Sequence, residues 1–390
     1  MDRVWSGLEN LMQSPPDMAK HTRIGLLCNP ASVDKHFMHA RHLVARRFPG
    51  QLTALFSPQH GFFAEKQDNM IESGHLIDPT LNVPVFSLYG DTRKPTTEML
   101  DLIDVLLVDL LDVGTRVYTF IYTVSYCMEA AKEHGCRVII LDRPNPVNGI
   151  DVEGNLLHPE FTSFVGRYPI PMRHGLTMGE LATLINKEFH IGCDLEVIPM
   201  TGWRRNMYYT DTGLPWVPPS PNLPTPSSAM VYPGQVILEG TNISEGRGTT
   251  LPFEQFGAPF LDTDRLHSIL GESLPGIVLR PVVFEPTANK WCGQACRGFQ
   301  IHVTDPKAYN SYETTLALVQ AIIRSAPDHF QWKSPPYEYE YTKLPADLII
   351  GDPAVREQIE NLAPLSDIFR SFRPALHHFR EKSRAYHIYT

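Results

Sequence analysis

The sequence lacks the features that would assign it to nucleic-acid-binding or membrane proteins. Its 390 residues contain 34 Lys and Arg against 43 Asp and Glu, a formal net charge of -9, without a clustered basic run. Because nucleic-acid binding needs clustered Lys and Arg to neutralise phosphates, the charge distribution argues against nucleic acid as the main partner. No apolar stretch approaches the length that a bilayer requires, so no membrane span is expected.

Nucleotide and metal motifs are also missing. No Gly-x-Gly-x-x-Gly follows the first apolar run and there is no Walker A sequence, which argues against a nucleotide role. Cys292 and Cys296 are four residues apart, but no second Cys or His pair with zinc spacing lies near them. We therefore expect six free thiols in a reducing compartment and no metal site.

The N-terminus has acidic residues early and no continuous apolar segment of the signal-peptide kind. We expect residues 1–20 to form a short amphipathic helical segment and the protein to be cytoplasmic. The apolar fraction of 43% and the charged fraction of 20% are ordinary for a globular protein with a sizeable core. A length of 390 residues suggests two domains or one large one.

Short apolar runs alternate with segments of helical periodicity in the first half of the chain. Strands are predicted at 23–28, 52–56, 83–88, 104–111, 137–141 and 195–200, and helices at 33–47, 96–102, 118–134 and 177–189. Thr177 and Glu180 form a capping-box pattern at the start of the last helix. The alternation predicts βαβ units and a parallel sheet covered on both faces, a Rossmann-like domain over residues 21–228.

A Pro-rich segment at 214–225 is too rich in proline for a helix or a central strand, and we place the domain boundary after it. In the second half, strands are predicted at 231–238, 277–284 and 298–304, and helices at 264–270, 309–325 and 367–386. Segregated strands and helices indicate a smaller α+β domain over residues 229–390. The fold class is therefore α/β followed by α+β.

Polar residues cluster directly after the predicted strands. They are Asn29, His60, Tyr89, Asp112 with Arg116, and Asp142 with Arg143 and Asn145. Because ligands of open α/β sheets bind outside the carboxyl ends of the strands, one topology brings all of these residues to one rim.

A glycine-rich segment from Glu239 to Thr250 contains two acids, an arginine and several hydroxyls around three glycines. Glycine allows tight turns and close approach of the backbone to a ligand. The segment follows the apolar run at 231–238, so we place it in a loop after a strand. Glu245 and Arg247 flank one glycine and can project toward a small polar ligand; a solvated turn with an ion pair is the alternative.

Several long motifs in the same order resemble one family. They are Ser57–Phe62, Ser87–Gly90, Asp109–Tyr118, Leu141–Pro146, Ser163–Gly175, Gly213–Asn222 and Glu239–Thr250. The chain resembles the DUF1343 family, the exo-β-N-acetylmuramidases of the NamZ type, from about Ile24 to Tyr386. The resemblance implies a glycoside hydrolase that removes N-acetylmuramic acid from the non-reducing end of peptidoglycan fragments. It also implies an active-site cleft between a Rossmann-like domain and a smaller C-terminal domain, and no cofactor.

One position departs from the family pattern. Family members commonly carry Pro-Glu-His-Gly where this chain has Pro58-Gln59-His60-Gly61, so an acid is lost at Gln59. Glu65, Asp68 and Glu72 follow nearby. If the family's glutamate is catalytic, one of these acids replaces it or the substrate differs.

Glycosidic cleavage usually requires two carboxyl groups, one that donates a proton and one that acts as nucleophile or base. Our first candidate is Glu245. The candidate partners, in order, are Glu65, Glu72, Asp142 and Asp112. For Asp142, which precedes Arg-Pro-Asn, a structural turn lock is a strong alternative, and Asp109 within its strand is predicted to be buried.

The substrate's lactyl ether carries a carboxylate, which arginine can hold with two parallel hydrogen bonds. The candidates are Arg116, Arg143, Arg173 and Arg247. His60 and His174 are candidates for sugar hydroxyls or proton transfer, Asn222 and Asn242 for the N-acetyl group, and Tyr118 for stacking on the sugar; Asp112 and Asn145 complete the predicted rim.

Two further hypotheses stay open. Gln59 favours a muropeptide-binding protein that kept the cleft and lost hydrolysis. A hydrolase or transferase acting on another acidic sugar is the third possibility. The sequence does not determine the oligomeric state.

Overall fold

A computed structural model describes residues 3–16, 19–271 and 274–390. Within these ranges the strands, in chain order, are β1 Ile24–Cys28, β2 Leu52–Ser57, β3 Leu76–Ile77, β4 Pro84–Ser87, β5 Val105–Asp109, β6 Arg137–Leu141, β7 Glu153–Leu156, β8 Pro171–Arg173, β9 Leu195–Ile198, β10 Gln255–Ala258, β11 Ile277–Phe284 and β12 Cys296–Val303. The expected helix within residues 1–20 is present as Gly7–Gln13; residues 1, 2, 17 and 18 of that segment lie outside the described ranges.

The α-helices are α1 Gly7–Gln13, α2 Ala40–Arg47, α3 Thr97–Leu100, α4 Phe120–His134, α5 Met178–Glu188, α6 Pro226–Gln235, α7 Thr263–Leu270, α8 Ser311–Ser325, α9 Pro345–Ile350, α10 Pro353–Glu360 and α11 Leu365–Ser383. Short 3₁₀ segments lie at Pro159–Phe161, Tyr209–Asp211, Val236–Gly240 and Arg384–Tyr386. No helix in the described part of the chain is both long and apolar enough to cross a bilayer.

The first half of the chain is organised around a seven-stranded sheet of order β3-β4-β2-β1-β5-β6-β9. All its pairings are parallel except that of the short edge strand β3 with β4. The predicted parallel sheet is therefore confirmed. The chain runs outward from β1 on one side through β2 and on the other through β5, so the topological switch point lies between β1 and β5.

Alternate residues of each strand face two different cores, because successive side chains of a strand point to opposite faces. On β5, Leu107 packs in the cluster that contains α1 and α2. Leu106 and Val108 pack in the larger cluster, which contains α4 and α5 and continues into the second half of the chain. Covering both faces with helices explains why these strands are apolar throughout.

Local capping signals set two helix starts. Thr177 caps α5 and forms the predicted capping box with Glu180. The helix predicted from residue 33 begins only at Ala40, after His39 as the cap. The preceding turn is held by Asp34, whose carboxylate accepts hydrogen bonds from the backbone N–H groups of His36 and Met38.

The strand predicted at 231–238 is wrong, because these residues continue α6 and the 3₁₀ segment after it. Thr225 caps α6, and Pro226 stands in its first turn, where a missing N–H costs nothing. The run is buried on all sides, against α8 among others, so its apolar character carried no helical period. The glycine-rich segment therefore follows a helix and not a strand.

The second half has a three-stranded antiparallel sheet of order β10-β12-β11, with α6 packed on α8. It is joined to the first half by Arg116, which is fully buried. The Arg116 guanidinium donates hydrogen bonds to carbonyl oxygens of Ile349 and Ile350 at the end of α9, and to two more in the β7–β8 region. A cation suits the carbonyl-rich C-terminus of a helix.

Candidate functional site

A cleft of about 460 Å³ lies between the two halves of the chain. It is formed by the loop after β2, the start of α4, the Pro-rich segment, the glycine-rich segment and the residues before α9. Its polar and aromatic lining consists of Gln59, His60, Asn69, Tyr118, Thr119, Phe120, Ser220, Asn222, Tyr232, Glu239, Arg247, Phe253, Tyr337 and Glu338. We call this space the cleft. It lies beyond the carboxyl end of β2, where the parallel sheet predicts a site.

Glu239 is held in the cleft as a carboxylate. One carboxylate oxygen accepts from Arg247 Nη2 at 2.6 Å, and the other accepts from Tyr337 Oη at 2.7 Å and Asn69 Nδ2 at 3.2 Å. Burial alone would raise the pKa of Glu239, but the charge and hydrogen bond of Arg247 and the hydrogen bond of Tyr337 lower it below the ordinary value. The side chain is therefore an ionised acceptor at neutral pH.

Glu338 faces the same cleft in the opposite electrostatic situation. Its carboxyl accepts hydrogen bonds from Gln59 Nε2 at 2.9 Å and Tyr89 Oη at 2.7 Å, both uncharged donors. Burial raises the pKa of Glu338, and these two hydrogen bonds offset only part of the rise; the nearby charge of Glu239 adds to it. The two carboxyl groups of the cleft are thus shifted apart, one toward the ionised and one toward the protonated form.

The backbone at Glu338 is strained. Glu338 and Tyr339 have φ of 47° and 66°, and Tyr337 and Glu340 exchange both backbone hydrogen bonds around them. A two-residue turn of this kind normally carries Asn or Gly, because a side chain with positive φ is unfavourable. Such strain is retained mainly at functional sites, and here it directs the Glu338 carboxyl into the cleft.

A second space of about 640 Å³, the side pocket, adjoins the cleft and shares Glu239 and Arg247 with it. Glu245, our first catalytic candidate, lies there and is buried. Its carboxylate is paired with Lys290 Nζ at 2.7 Å and Arg247 Nε at 3.3 Å. Two acids and two cations therefore alternate along this wall.

Arg247 stands at the centre of this arrangement. Its Nη2 and Nε bind Glu239 and Glu245. The third nitrogen, Nη1, is buried and has no hydrogen-bond partner among the residues that the structure describes. Because a buried donor without a partner costs free energy, Nη1 is the natural contact for an acceptor on a bound ligand.

Three more predicted binding residues line the cleft. His60 has φ of 78°, and its Nδ1 is 2.8 Å from the Lys66 carbonyl oxygen; burial lowers the pKa of His60 to about 4, so the ring is neutral at neutral pH. Asn222 donates to the Gln67 carbonyl oxygen. The Tyr118 ring packs edge to face against Tyr232.

Asp142 does not line the cleft. It is fully buried and accepts hydrogen bonds from Thr177 Oγ1, Gly179 N and Tyr389 Oη, which join β6 to α5 and to the C-terminus. Burial raises the pKa of Asp142 to about 6. This geometry favours the turn-lock alternative for Asp142 over the catalytic role.

Three of the four predicted arginines also lie in the interior. Arg116 is bound to backbone carbonyls, as described above. Arg143 forms a two-pronged pair with Asp109 at 2.5 and 2.8 Å, and Arg173 pairs with buried Glu153. Their hydrogen bonds go to groups of the protein itself, and none of the three lines the cleft, which favours a structural role over the predicted binding role.

The remaining predicted residues are also absent from the cleft lining. Asp112 Oδ1 accepts a hydrogen bond from the backbone N–H of Gly114 and lies 3.4 Å from His174 Nε2. Asp112 and His174 are both buried. Asn145 donates to the Leu176 carbonyl oxygen, and Asn242 to that of His329. Two surface acids complete the set: Glu65 is exposed beside Phe63, and Glu72 is exposed and accepts from Tyr339 Oη.

The sequence interpretation missed several residues of the site. They are Asn69, Glu239, Lys290, Tyr337 and Glu338. Glu239 opens the glycine-rich segment that had been singled out, so its proximity to Glu245 was visible. The alternation of tyrosine and glutamate from Tyr337 to Tyr341 was the available signal for Glu338. Among the described residues, no group of three or more His, Cys, Asp or Glu side chains could hold a metal ion.

Two family models match nearly all of the chain. Those for the N-terminal and C-terminal parts of exo-β-N-acetylmuramidase NamZ match residues 24–227 and 230–389. The peptidoglycan β-N-acetylmuramidase NamZ of Bacillus subtilis (strain 168) is 44% identical over 388 residues, which cover 99% of this chain and 92% of that protein.

Crystal structures of two DUF1343 family proteins from Bacteroides fragilis NCTC 9343 share the fold. One superposes with a TM-score of 0.88 at 33% identity, and the other with a TM-score of 0.78 at 28% identity. Each comparison covers 100% of this chain and 99% of the other chain.

Proposed function

The chain belongs to the NamZ family of exo-β-N-acetylmuramidases, and we propose that it hydrolyses the bond that links a β-linked N-acetylmuramic acid at the non-reducing end to the rest of a peptidoglycan fragment. The Bacillus subtilis relative is by name a peptidoglycan β-N-acetylmuramidase. The proposed reaction is the hydrolysis of a glycosidic bond, and the roles assigned below involve only side chains and water. The expected cytoplasmic location stays a prediction, which cell fractionation tests.

The observation that carries this proposal is the carboxyl pair of the cleft. Burial holds the pKa of Glu338 above its ordinary value, and Arg247 with Tyr337 holds that of Glu239 below it. Two carboxyl groups with pKa values pushed apart are what a glycosidase uses as acid and as base or nucleophile. The pair supports hydrolysis more directly than ligand binding, which needs no protonated acid.

We assign the acid role to Glu338. Its proton passes to the glycosidic oxygen as the bond from that oxygen to the anomeric carbon breaks. Glu239 then acts on the anomeric carbon, either directly or by taking a proton from the attacking water. Water supplies the hydroxyl of the released sugar. In the direct route this water displaces Glu239 from the anomeric carbon and gives its proton to Glu338; in the other route Glu239 loses the water proton to solvent and Glu338 takes up a proton from solvent.

We assign the binding roles to other residues that line the cleft. Arg247 Nη1 is the donor for the lactyl carboxylate, because it is buried at the cleft and without a partner in the described part of the chain. Neutral His60 and Asn222 bind hydroxyl or acetamido groups, and Tyr118 provides an aromatic surface. Glu245 holds Lys290 and Arg247 in position. Whether Glu245 is instead a catalytic carboxylate is tested with a third variant in the experiment below.

The test compares Glu338→Gln, Glu239→Gln and Glu245→Gln on two muramic β-glycosides. One is the disaccharide with N-acetylglucosamine as leaving group; the other releases 4-nitrophenolate. A nitrophenolate leaves without protonation, so Glu338→Gln should lose about 10²–10⁴-fold in kcat on the disaccharide and much less on the nitrophenyl compound. Glu239→Gln should lose a similar factor on both substrates. The exposed Glu160→Gln is the matched control.

A Glu338→Gln protein that retains its rate on the disaccharide would remove Glu338 from the acid role. A loss for Glu245→Gln that equals or exceeds that for Glu239→Gln would transfer the second role to Glu245. The N-acetylglucosamine nitrophenyl glycoside, which lacks the lactyl group, should be cleaved poorly by every variant.

Gln59 favours one alternative, a family member that binds muropeptides, or another acidic amino sugar, without cleaving muramic glycosides. In this alternative the folded wild type releases nothing from either muramic substrate but still binds N-acetylmuramic acid in a calorimetric titration. Release by the wild type rejects it.

A further inference from the structure

A third space, lined by none of the proposed catalytic residues, adjoins the cleft. This groove has a volume of about 1410 Å³, including the part open to solvent, and Asn222 lines both the groove and the cleft. The side-chain amide of Asn222 donates to the Gln67 carbonyl oxygen at 3.0 Å, which fixes it as the partition between the two spaces. A ligand that occupies the cleft and extends beyond Asn222 would enter the groove.

The groove has the chemistry of a site for a neutral saccharide. Its lining consists of hydroxyl and amide side chains, prolines and one aromatic ring, that of Phe284. Glu285, which is exposed, is the single charged residue among the lining residues that the structure describes. The side pocket, by contrast, carries Asp68, Lys290 and Lys333 besides the two acids and Arg247. A neutral sugar would therefore contact fewer charged groups in the groove than in the side pocket.

Hydrogen bonds within the protein fix the walls of the groove. Thr287 donates to the Gly248 carbonyl oxygen from its backbone N at 2.9 Å and from Oγ1 at 2.8 Å. Gly248 has φ of 76°, and an added Cβ would meet the Ala288 carbonyl oxygen at 2.4 Å, so glycine is needed for this close approach. Gln255 Nε2 donates to Thr249 Oγ1 at 2.9 Å. These contacts hold the walls without help from a ligand.

Phe284 is positioned to stack on a sugar ring. It is half-buried at the end of β11, where its ring edge packs against Gly257 of β10. Aromatic rings contribute a large contact area at low entropic cost. Its neighbour Val283 points to the other face of the strand and is 69% exposed.

We propose that the groove is the aglycone subsite of the enzyme and that it binds the neutral amino-sugar unit that follows the muramic residue to be removed. This proposal rests on the proposed function, since it takes the cleft as the site of the muramic residue. It predicts that an extended saccharide is a better substrate than a muramic glycoside with a small aglycone.

The test compares wild type, Phe284→Ala and Val283→Ala on two substrates. One is the muramic–N-acetylglucosamine disaccharide, whose second sugar reaches the groove. The other is the methyl β-glycoside of N-acetylmuramic acid, whose aglycone does not. We expect Phe284→Ala to lower kcat/KM on the disaccharide roughly tenfold and to leave the methyl glycoside within about twofold. Val283→Ala should change neither.

Equal losses on both substrates, or no loss on the disaccharide, would overturn the assignment. A binding measurement decides the question without turnover. N,N′-diacetylchitobiose, a neutral disaccharide, should give saturation-transfer NMR signals with wild type and Val283→Ala, and these should be lost with Phe284→Ala of unchanged melting temperature. If wild type cleaves neither substrate, the hydrolysis proposal fails, while the chitobiose experiment still supports or rejects the groove as a saccharide site.

Discussion

Gln59 donates a hydrogen bond to Glu338 at 2.9 Å, although the two residues are 279 positions apart in the chain. The other end of the Gln59 amide accepts from Thr119 Oγ1 at 2.6 Å, so the amide orientation is locked. Glu338 therefore has an uncharged neighbour at the position where members of the family commonly carry an acid. A single carboxyl group, and not a pair that shares a proton, occupies this part of the cleft.

Replacing Gln59 by Glu should move the alkaline limb of the pH profile of kcat/KM upward. A second carboxylate about 3 Å from Glu338 disfavours ionisation of Glu338 and raises its pKa, so the acid stays protonated to higher pH. We expect a shift of roughly one unit or more. Gln358→Glu, at an exposed position on α10, is the control. An unchanged alkaline limb would separate Glu338 from the proton-transfer step.

Tyr89→Phe should shift the same limb in the same direction by a smaller amount. The Tyr89 hydroxyl donates to Glu338 and lowers the pKa of that carboxyl, so its removal raises the pKa. We expect about half a unit, measured from kcat/KM against pH. Tyr341→Phe, 66% exposed, should leave the profile unchanged. A downward shift after Tyr89→Phe would contradict the acid role of Glu338.

Arg247→Lys should move the acidic limb upward. The Arg247 guanidinium is the main group that lowers the pKa of Glu239, and lysine cannot keep its contacts with both acids. Glu239 then ionises at higher pH, and we expect a shift of about one unit together with a higher KM for muramic substrates. Arg265→Lys, on the surface, provides the comparison. Identical acidic limbs in the two variants would exclude Glu239 as the ionised carboxylate.

Asp142→Ala should lower the free energy of unfolding by about 2–3 kcal/mol, because it leaves buried donors of Thr177, Gly179 and Tyr389 without their acceptor. Urea denaturation measures this, with exposed Asp91→Ala as control. Asp142→Asn should retain turnover. A kcat loss in a fully folded Asp142→Asn protein, comparable to that expected for Glu338→Gln, would return Asp142 to the catalytic set.

The stability contribution of Asp142 has a definite pH dependence. Burial raises its pKa to about 6 in the folded protein, from an ordinary value of 3.8. Between about pH 4 and 6 the folded state therefore binds more protons than the unfolded state, and stability falls as pH rises through this window. Asp142→Asn should flatten the fall in urea titrations at these pH values.

Arg116→Leu should lower the free energy of unfolding by about 3 kcal/mol, because four buried carbonyl oxygens lose their donor. Arg384→Leu, with a side chain 67% exposed, should cost far less. Under conditions where the Arg116→Leu protein is folded, its KM should equal that of wild type. A raised KM without loss of stability would restore Arg116 to the substrate site.

The predicted parallel sheet was recoverable because buried strands such as β5 are apolar along their whole length and separated by periodic helices. The run at 231–238 was not, because a helix buried on all sides has no polar face to reveal its period. Burial is likewise invisible in the sequence around Arg116, Arg143 and Arg173. A sequence does not distinguish an arginine that binds a ligand from one that binds groups in the protein interior.

The sequence by itself determined the family and the α/β architecture, since these depend on local patterns and long motifs. It also singled out the glycine-rich segment, of which Glu239 and Arg247 line the cleft. Only the tertiary structure decided which acids line the cleft together. Glu239 and Glu338 are separated by almost a hundred residues, and Glu338 reaches the cleft through a strained two-residue turn. Their opposite pKa shifts arise from Arg247 on one side and from burial beside Gln59 and Tyr89 on the other. Such shifts depend on distances across the fold, which no local pattern encodes.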